Sequence, residues 1–138
     1  MDWLQENGTT LLVMVGLVAF FLRGPVLAKA TGVETMSVHE LAKQLASPSP
    51  PLLLDVRSQA EFDSGRIPQA ILVPLSELRQ QVETVRRRSA SRPVAVICRS
   101  GNRSLHGAVL LKRAGFGQVF NVSGGLLSWR NQGYPIRT

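Results

Sequence analysis

Two segments, Leu52-Leu53-Leu54 and Val94-Ala95-Val96-Ile97, are apolar at every position instead of at every second one. A strand with one wet face alternates between apolar and polar residues; a strand covered on both faces has no need to. Such strands require helices on two sides of one sheet, and the surrounding sequence supplies them. Ser37 followed by Glu40 has capping-box spacing, and Val38, Leu41 and Leu45 recur at helical intervals. Ser58 with Glu61 repeats the cap, and Gly65 can stop that turn. The pattern predicts helices over 37–46, 58–64, 76–88, 104–114 and 126–131. It predicts strands over 51–56, 71–73, 94–98 and 119–122. Short strands alternating with helices indicate an α/β fold with a largely parallel sheet, whose ligand sites lie beyond the carboxyl ends of the strands. Cys98 falls at such an end.

The chain has 138 residues, enough for one domain and one appendage. We divide it into an N-terminal segment, 1–32, and a domain, 33–138. Gly8 to Leu22 carries no charge. As a helix it would span roughly 22 Å, short of the roughly 30 Å of a hydrocarbon core. Extension with Trp3 and Leu4 on one side, and with a snorkelling Arg23 plus Val26 and Leu27 on the other, makes a transmembrane anchor the expectation. Pro25 is expected to end or kink that helix. The lipid bilayer is then a partner of residues about 3–28. The rival is a cleaved signal peptide ending in Ala28-Lys29-Ala30, but Asp2 and Glu6 stand where such peptides carry positive charge. Arg23 and Lys29 follow the run, which places a single-pass protein in the inner membrane with its domain on the cytoplasmic side.

The net charge is +7, and residues 1–32 contribute none of it, since Arg23 and Lys29 balance Asp2 and Glu6. The densest basic run is Arg86-Arg87-Arg88. It reads as a solvated helix face or as a face toward anionic lipid. It lacks interleaved aromatics, so no nucleic-acid partner is expected. The single cysteine excludes an intramolecular disulfide and a multi-cysteine zinc site; no metal or other cofactor is expected.

That cysteine has a telling neighbourhood. A buried strand delivers Cys98 into the polar loop Arg99-Ser100-Gly101-Asn102-Arg103-Ser104, and a helix follows. Gly101 permits unusual backbone angles and Asn102 tolerates them. Successive N–H groups at a helix N-terminus form an anion-binding nest. A thiol placed there is acidified, and the same donors stabilise a persulfide anion. Arg99 and Arg103 add positive charge for an anionic sulfur donor.

These residues carry a resemblance. From about Val33 to Arg137 the chain resembles a single-domain rhodanese. It does so in Leu53-Leu54-Asp55-Val56-Arg57, in Glu61-Phe62 through Gly65-Arg66-Ile67-Pro68 to Ala70, in Cys98 to Ser104, and in Gly124-Gly125 with Trp129 and Gly133-Tyr134-Pro135. The resemblance implies a five-stranded parallel sheet flanked by helices on both faces. It also implies sulfur transfer from a donor such as thiosulfate to cyanide or a thiol through a Cys98 persulfide, with residues 99–104 cradling the terminal sulfur. Asp55 and Arg57 match a strand-end pair that orients the loop or lines the pocket, or simply holds the fold together. Arg66 departs from the histidine usual at its place and reads as structural or as pocket rim.

Two alternatives stand beside this reading. One is a cysteine phosphatase or arsenate reductase; Arg103 lies five positions after Cys98, one fewer than in cysteine phosphatases. The other is a membrane-tethered persulfide carrier or partner-binding module, with an acceptor protein as its partner. Trp129 reads as core, His39 as surface, and His106 as packed or partly exposed.

Overall fold

The computed structural model describes residues 2–138, and the side chains of residues 2–6 and 23–30 lie outside that description. The elements run α1 (Asp2–Thr31), β1 (Glu34–Met36), α2 (Val38–Leu45), β2 (Leu52–Asp55), α3 (Gln59–Ser64), β3 (Ile71–Leu72), α4 (Leu75–Ser89), β4 (Val94–Ile97), α5 (Asn102–Arg113), β5 (Val119–Val122) and α6 (Gly125–Asn131). The strands form one sheet in the order β1-β5-β4-β2-β3, and every pairing is parallel. β4 is central, and all four of its residues are buried, as are all four of β2. Their unbroken apolarity therefore has its expected cause.

The strand repeat of two sorts these residues between two cores. Leu52, Leu54, Val94, Val96 and Cys98 pack with Leu78 and Val85 of α4 and Ala108 and Leu111 of α5. Leu53, Ala95 and Ile97 pack with Leu41 of α2 and Leu126 and Trp129 of α6. Cys98 thus inherits its face from Val94 and Val96, on the α4–α5 side. Trp129 is core, and its indole N–H donates to the carbonyl of Pro135 at 2.8 Å. His39 is exposed and lies 2.6 Å from the Tyr134 hydroxyl.

Two strands differ from the sequence reading. β1 was not expected: it is a three-residue edge strand with only Met36 buried, so its composition carries no strand signal. β3 forms the other edge and is half-buried, not buried. The N-terminal helix also runs on through Pro25 to Thr31.

The membrane placement is corrected. Among the described residues no helix is long and apolar enough to cross a membrane. The charge-free run of Gly8–Leu22 is too short by itself, and the side chains invoked to extend it, Trp3, Leu4, Arg23, Val26 and Leu27, lie outside the described residues. The single-pass anchor and the inner-membrane location fall together. Leu11–Leu22 are exposed on α1, which meets the domain through α5 and β1.

The basic run is corrected in part. Arg86 is not a free surface charge: it donates to the carbonyl of Ala114 at 2.8 Å, lies 4.7 Å from the centroid of the Phe116 ring, and pairs with Glu83. It caps the C-terminal end of α5 and ties it to α4, whereas Arg87 and Arg88 are exposed. Replacing Arg86 with Ala should cost about 1–2 kcal/mol, from a charged hydrogen bond and a ring contact. Arg87→Ala should cost close to nothing. Urea unfolding of the two variants distinguishes these outcomes, and equal effects would show the contact to be without weight.

Candidate active site

At the end of β4 the chain leaves the sheet between two strands that are already hydrogen-bonded. Cys98 is buried there. Gly101 follows with φ 109°, a conformation open to glycine, and caps α5. Its N–H donates to the Cys98 sulfur at 3.1 Å. Ser104, in the first turn of α5 and fully buried, places its hydroxyl 3.3 Å from the same sulfur. The thiol donates to that hydroxyl, which in turn donates to Asn121 Oδ1 at 2.6 Å, and Asn121 Nδ2 donates to the carbonyl of Gly101 at 3.2 Å. Sulfur, Ser104, Asn121 and Gly101 close a ring of hydrogen bonds joining β4, α5 and β5. Burial by itself raises the Cys98 pKa. Hydrogen bonding with the Ser104 side chain and with the backbone at Ser104, Gly101 and Ser100 outweighs it, and the thiol is held below its ordinary value.

Asn121 was missed in the sequence. Its only signal was one polar side chain in the apolar run Val119–Val122, beside the strand that bears the cysteine. The double glycine, by contrast, was seen, and its role is now physical. Gly124 and Gly125 have φ of 73° and 55°. A Cβ on Gly125 would lie 2.5 Å from the carbonyl oxygens of both Cys98 and Arg99. Without one, the first turn of α6 approaches the loop, and Leu126 and Leu127 donate their N–H groups to those carbonyls at 2.9 and 3.1 Å. The loop is therefore clamped from α5 at its sulfur and from α6 at its backbone.

The expected site residues divide. Ser100, Gly101 and Ser104 gather at the sulfur. Asn102 is exposed and opens α5. Arg103 shares its charge with a carboxylate, in a two-pronged pair with Glu61 at 2.7 and 2.9 Å. Glu61 also closes the capping box of α3 with Ser58. Arg103, and then Ser58, hold the Glu61 carboxyl down at about 2. Asp55 and Arg57 form a buried pair at 2.7 Å, and Arg57 reaches on to the carbonyls of Glu61 and Gly65 at 3.2 and 2.8 Å. That pair binds β2 to both ends of α3. Arg66 is structural, its guanidinium 4.9 Å from the centroid of the Phe62 ring.

Beside the loop opens a cleft of about 400 Å³, lined by Arg57, Ala60, Glu61, Ser64, Arg99, Leu126, Leu127 and Arg130. Arg99 is exposed at its wall, while Asp55 is buried and does not line it.

Comparison with known proteins places this arrangement. The family described as Rhodanese-like domain matches residues 37–132. A sulfurtransferase of Allochromatium vinosum is 33% identical over 104 residues, covering 75% of this chain and 94% of that protein. The crystal structure of a rhodanese-related protein from Thermoplasma volcanium superposes with a TM-score of 0.66 at 33% identity, covering 75% of this chain and 97% of that one. A human single-domain sulfurtransferase gives a TM-score of 0.63 at 27% identity, covering 72% and 97%.

Two outcomes follow from the site. Cys98 alkylation by iodoacetamide should show a pH midpoint below that of a free thiol. Ser104→Ala should move the midpoint upward, and an unmoved midpoint would remove the hydroxyl from the account. Glu61 is shifted in the same direction, toward its anion. Its carboxyl is lowered in the fold from 4.5 to about 2, so its contribution is complete above about 4.5 and is lost as pH falls toward 2. Glu61→Gln should abolish that part of the acid dependence of Tm; an acid limb identical to that of the unaltered protein would contradict it.

Proposed function

The chain belongs to the rhodanese-like domain family, and from that premise we propose that Cys98 carries sulfane sulfur as a persulfide, from a donor such as thiosulfate to cyanide or a thiol. Sulfur transfer in general is the activity for which its relatives are named. The domain that does this work is assigned to residues 33–138. The observation that carries the reading is the seat of the sulfur at the N-terminus of α5, 3.1 Å from the Gly101 nitrogen, whose N–H it accepts, and 3.3 Å from the Ser104 hydroxyl.

The chemistry runs in two displacements. The Cys98 thiolate attacks the outer sulfur of thiosulfate. The donor S–S bond breaks, sulfite leaves with the bonding pair, and Cys98–S–S⁻ remains. The N–H donors at the loop suit either anion, because they bind negative charge without taking a proton. An acceptor thiolate or cyanide then attacks the terminal sulfur, and the Cys98 thiolate departs. A lowered thiol pKa serves both halves: it raises the thiolate fraction for attack and makes Cys98 the better leaving group.

Against a phosphatase or arsenate reductase stands the engagement of Arg103 by Glu61, which takes away the guanidinium such a loop would turn to an oxyanion. Against partner binding through the basic run stands the structural employment of Arg86. Transfer to an acceptor protein remains compatible with the open cleft.

The decisive experiment is intact-mass spectrometry before and after thiosulfate. The expected result is a gain of about 32 Da, one sulfur on an activated thiolate, reversed by cyanide and absent in Cys98→Ser. No adduct with thiosulfate or any other sulfane donor would overturn the proposal.

A further inference from the structure

Three arginines line the cleft and a fourth, Arg103, pairs with its Glu61, and they are not alike. Arg57 is committed to Asp55 and to two carbonyls, and Arg103 to Glu61. Arg99 and Arg130 line the same cleft, are both exposed, and have no carboxylate or carbonyl partner among the described residues. Buried or half-buried guanidinium charge that is already paired adds little to the field on a ligand; the unpaired two supply it.

Arg130 is also given a seat. A Cβ on Gly65 would come within 2.3 Å of its Nη2, and Gly65 has φ 155°. The guanidinium therefore lies against a backbone with no side chain, at the residue whose carbonyl Arg57 holds. Along α6, Arg130 is four residues beyond Leu126, on the same face, and Leu126 donates to the Cys98 carbonyl. Leu127, 43% exposed, adds an apolar wall. A cleft of about 400 Å³ falls in the range of organic ligands, well above what a small inorganic anion needs.

We propose that Arg130, seated by Gly65 and acting with Arg99, is a specificity-determining residue that selects reagents bearing a carboxylate set back from the atom reacting at Cys98, so that the preferred small acceptor is an anionic organic thiol and not a neutral one. The sulfur-acceptor part of this rests on the proposed persulfide chemistry; the charge selection does not. Arg130 touches the carboxylate and leaves the sulfur to the loop.

Two measurements test it. In the first, full-length protein is loaded with thiosulfate, and sulfur transfer to mercaptosuccinate is compared with transfer to 2-mercaptoethanol. The unaltered protein should show a lower KM for mercaptosuccinate. Arg130→Ala should raise that KM about tenfold, the scale of one guanidinium–carboxylate contact in a half-open cleft, and should shrink the difference between the two thiols. Arg130→Lys, which keeps the charge and loses the fork, should restore part of it. In the second, Cys98 is alkylated with iodoacetate and with iodoacetamide, and the ratio of the two rates is read. Arg130→Ala and Gly65→Ala should each lower that ratio by severalfold. Equal discrimination in every variant, or a fall in both rates at constant ratio, would overturn the proposal and leave Arg130 a structural residue. If thiosulfate deposits no sulfur, the persulfide reading fails while the alkylation ratio still decides the role of Arg130.

Discussion

The rest of the molecule depends on how β4 ends. A central parallel strand has neighbours on both sides, so its chain can only leave over the carboxyl edge of the sheet, and the helix that follows begins with unpaired N–H groups. Here the turn between strand and helix is short, and Cys98 stands inside it. The first donors of α5 therefore find an acceptor in the sulfur, and the loop carbonyls find donors in α6. The need to satisfy buried backbone groups and the need to stabilise a sulfur anion are met by the same hydrogen bonds. Gly101 and Gly125 are where that economy requires a missing side chain, the first for its backbone angles and the second for close approach of two main chains.

Electrostatics around the loop divides into a structural part and a free part. Asp55–Arg57 and Glu61–Arg103 are oriented pairs that fasten α3 to β2 and α5. The buried pair is fully hydrogen-bonded, which is the condition under which burying two charges is tolerable. What remains uncompensated at the cleft is the charge of Arg99 and Arg130. A count of basic residues along the sequence does not separate these classes, because pairing is a property of neighbours in space. The same applies to Arg86, whose place in a run of three suggested solvent and whose contacts make it a helix cap.

Two relatives named as sulfurtransferases match about three quarters of this chain and nearly the whole of their own length. The correspondence therefore extends over the domain, from the sheet to the loop and the double glycine of α6. The family match begins at residue 37, after the exposed apolar residues of the N-terminal helix.

Much of the fold was legible in the amino-acid order. Unbroken apolar runs marked β2 and β4, helical periodicity with Ser–Glu caps marked α2 and α3, and Gly65 marked the end of α3, because local sterics and solvent-facing periodicity act on adjacent residues. The cysteine, its loop and the chemistry suited to a helix N-terminus were legible for the same reason. The edge strand β1 was not, since its strand state comes from pairing with β5 and not from its own composition. Nor was the span of the N-terminal helix through Pro25. Asn121 in the sulfur ring, the capture of Arg103 by Glu61 and the seating of Arg130 on Gly65 lay equally out of reach. Each joins residues from separate elements, 17, 42 and 65 positions apart. Only the crossing of parallel strands in the order β1-β5-β4-β2-β3 brings them within hydrogen-bond range.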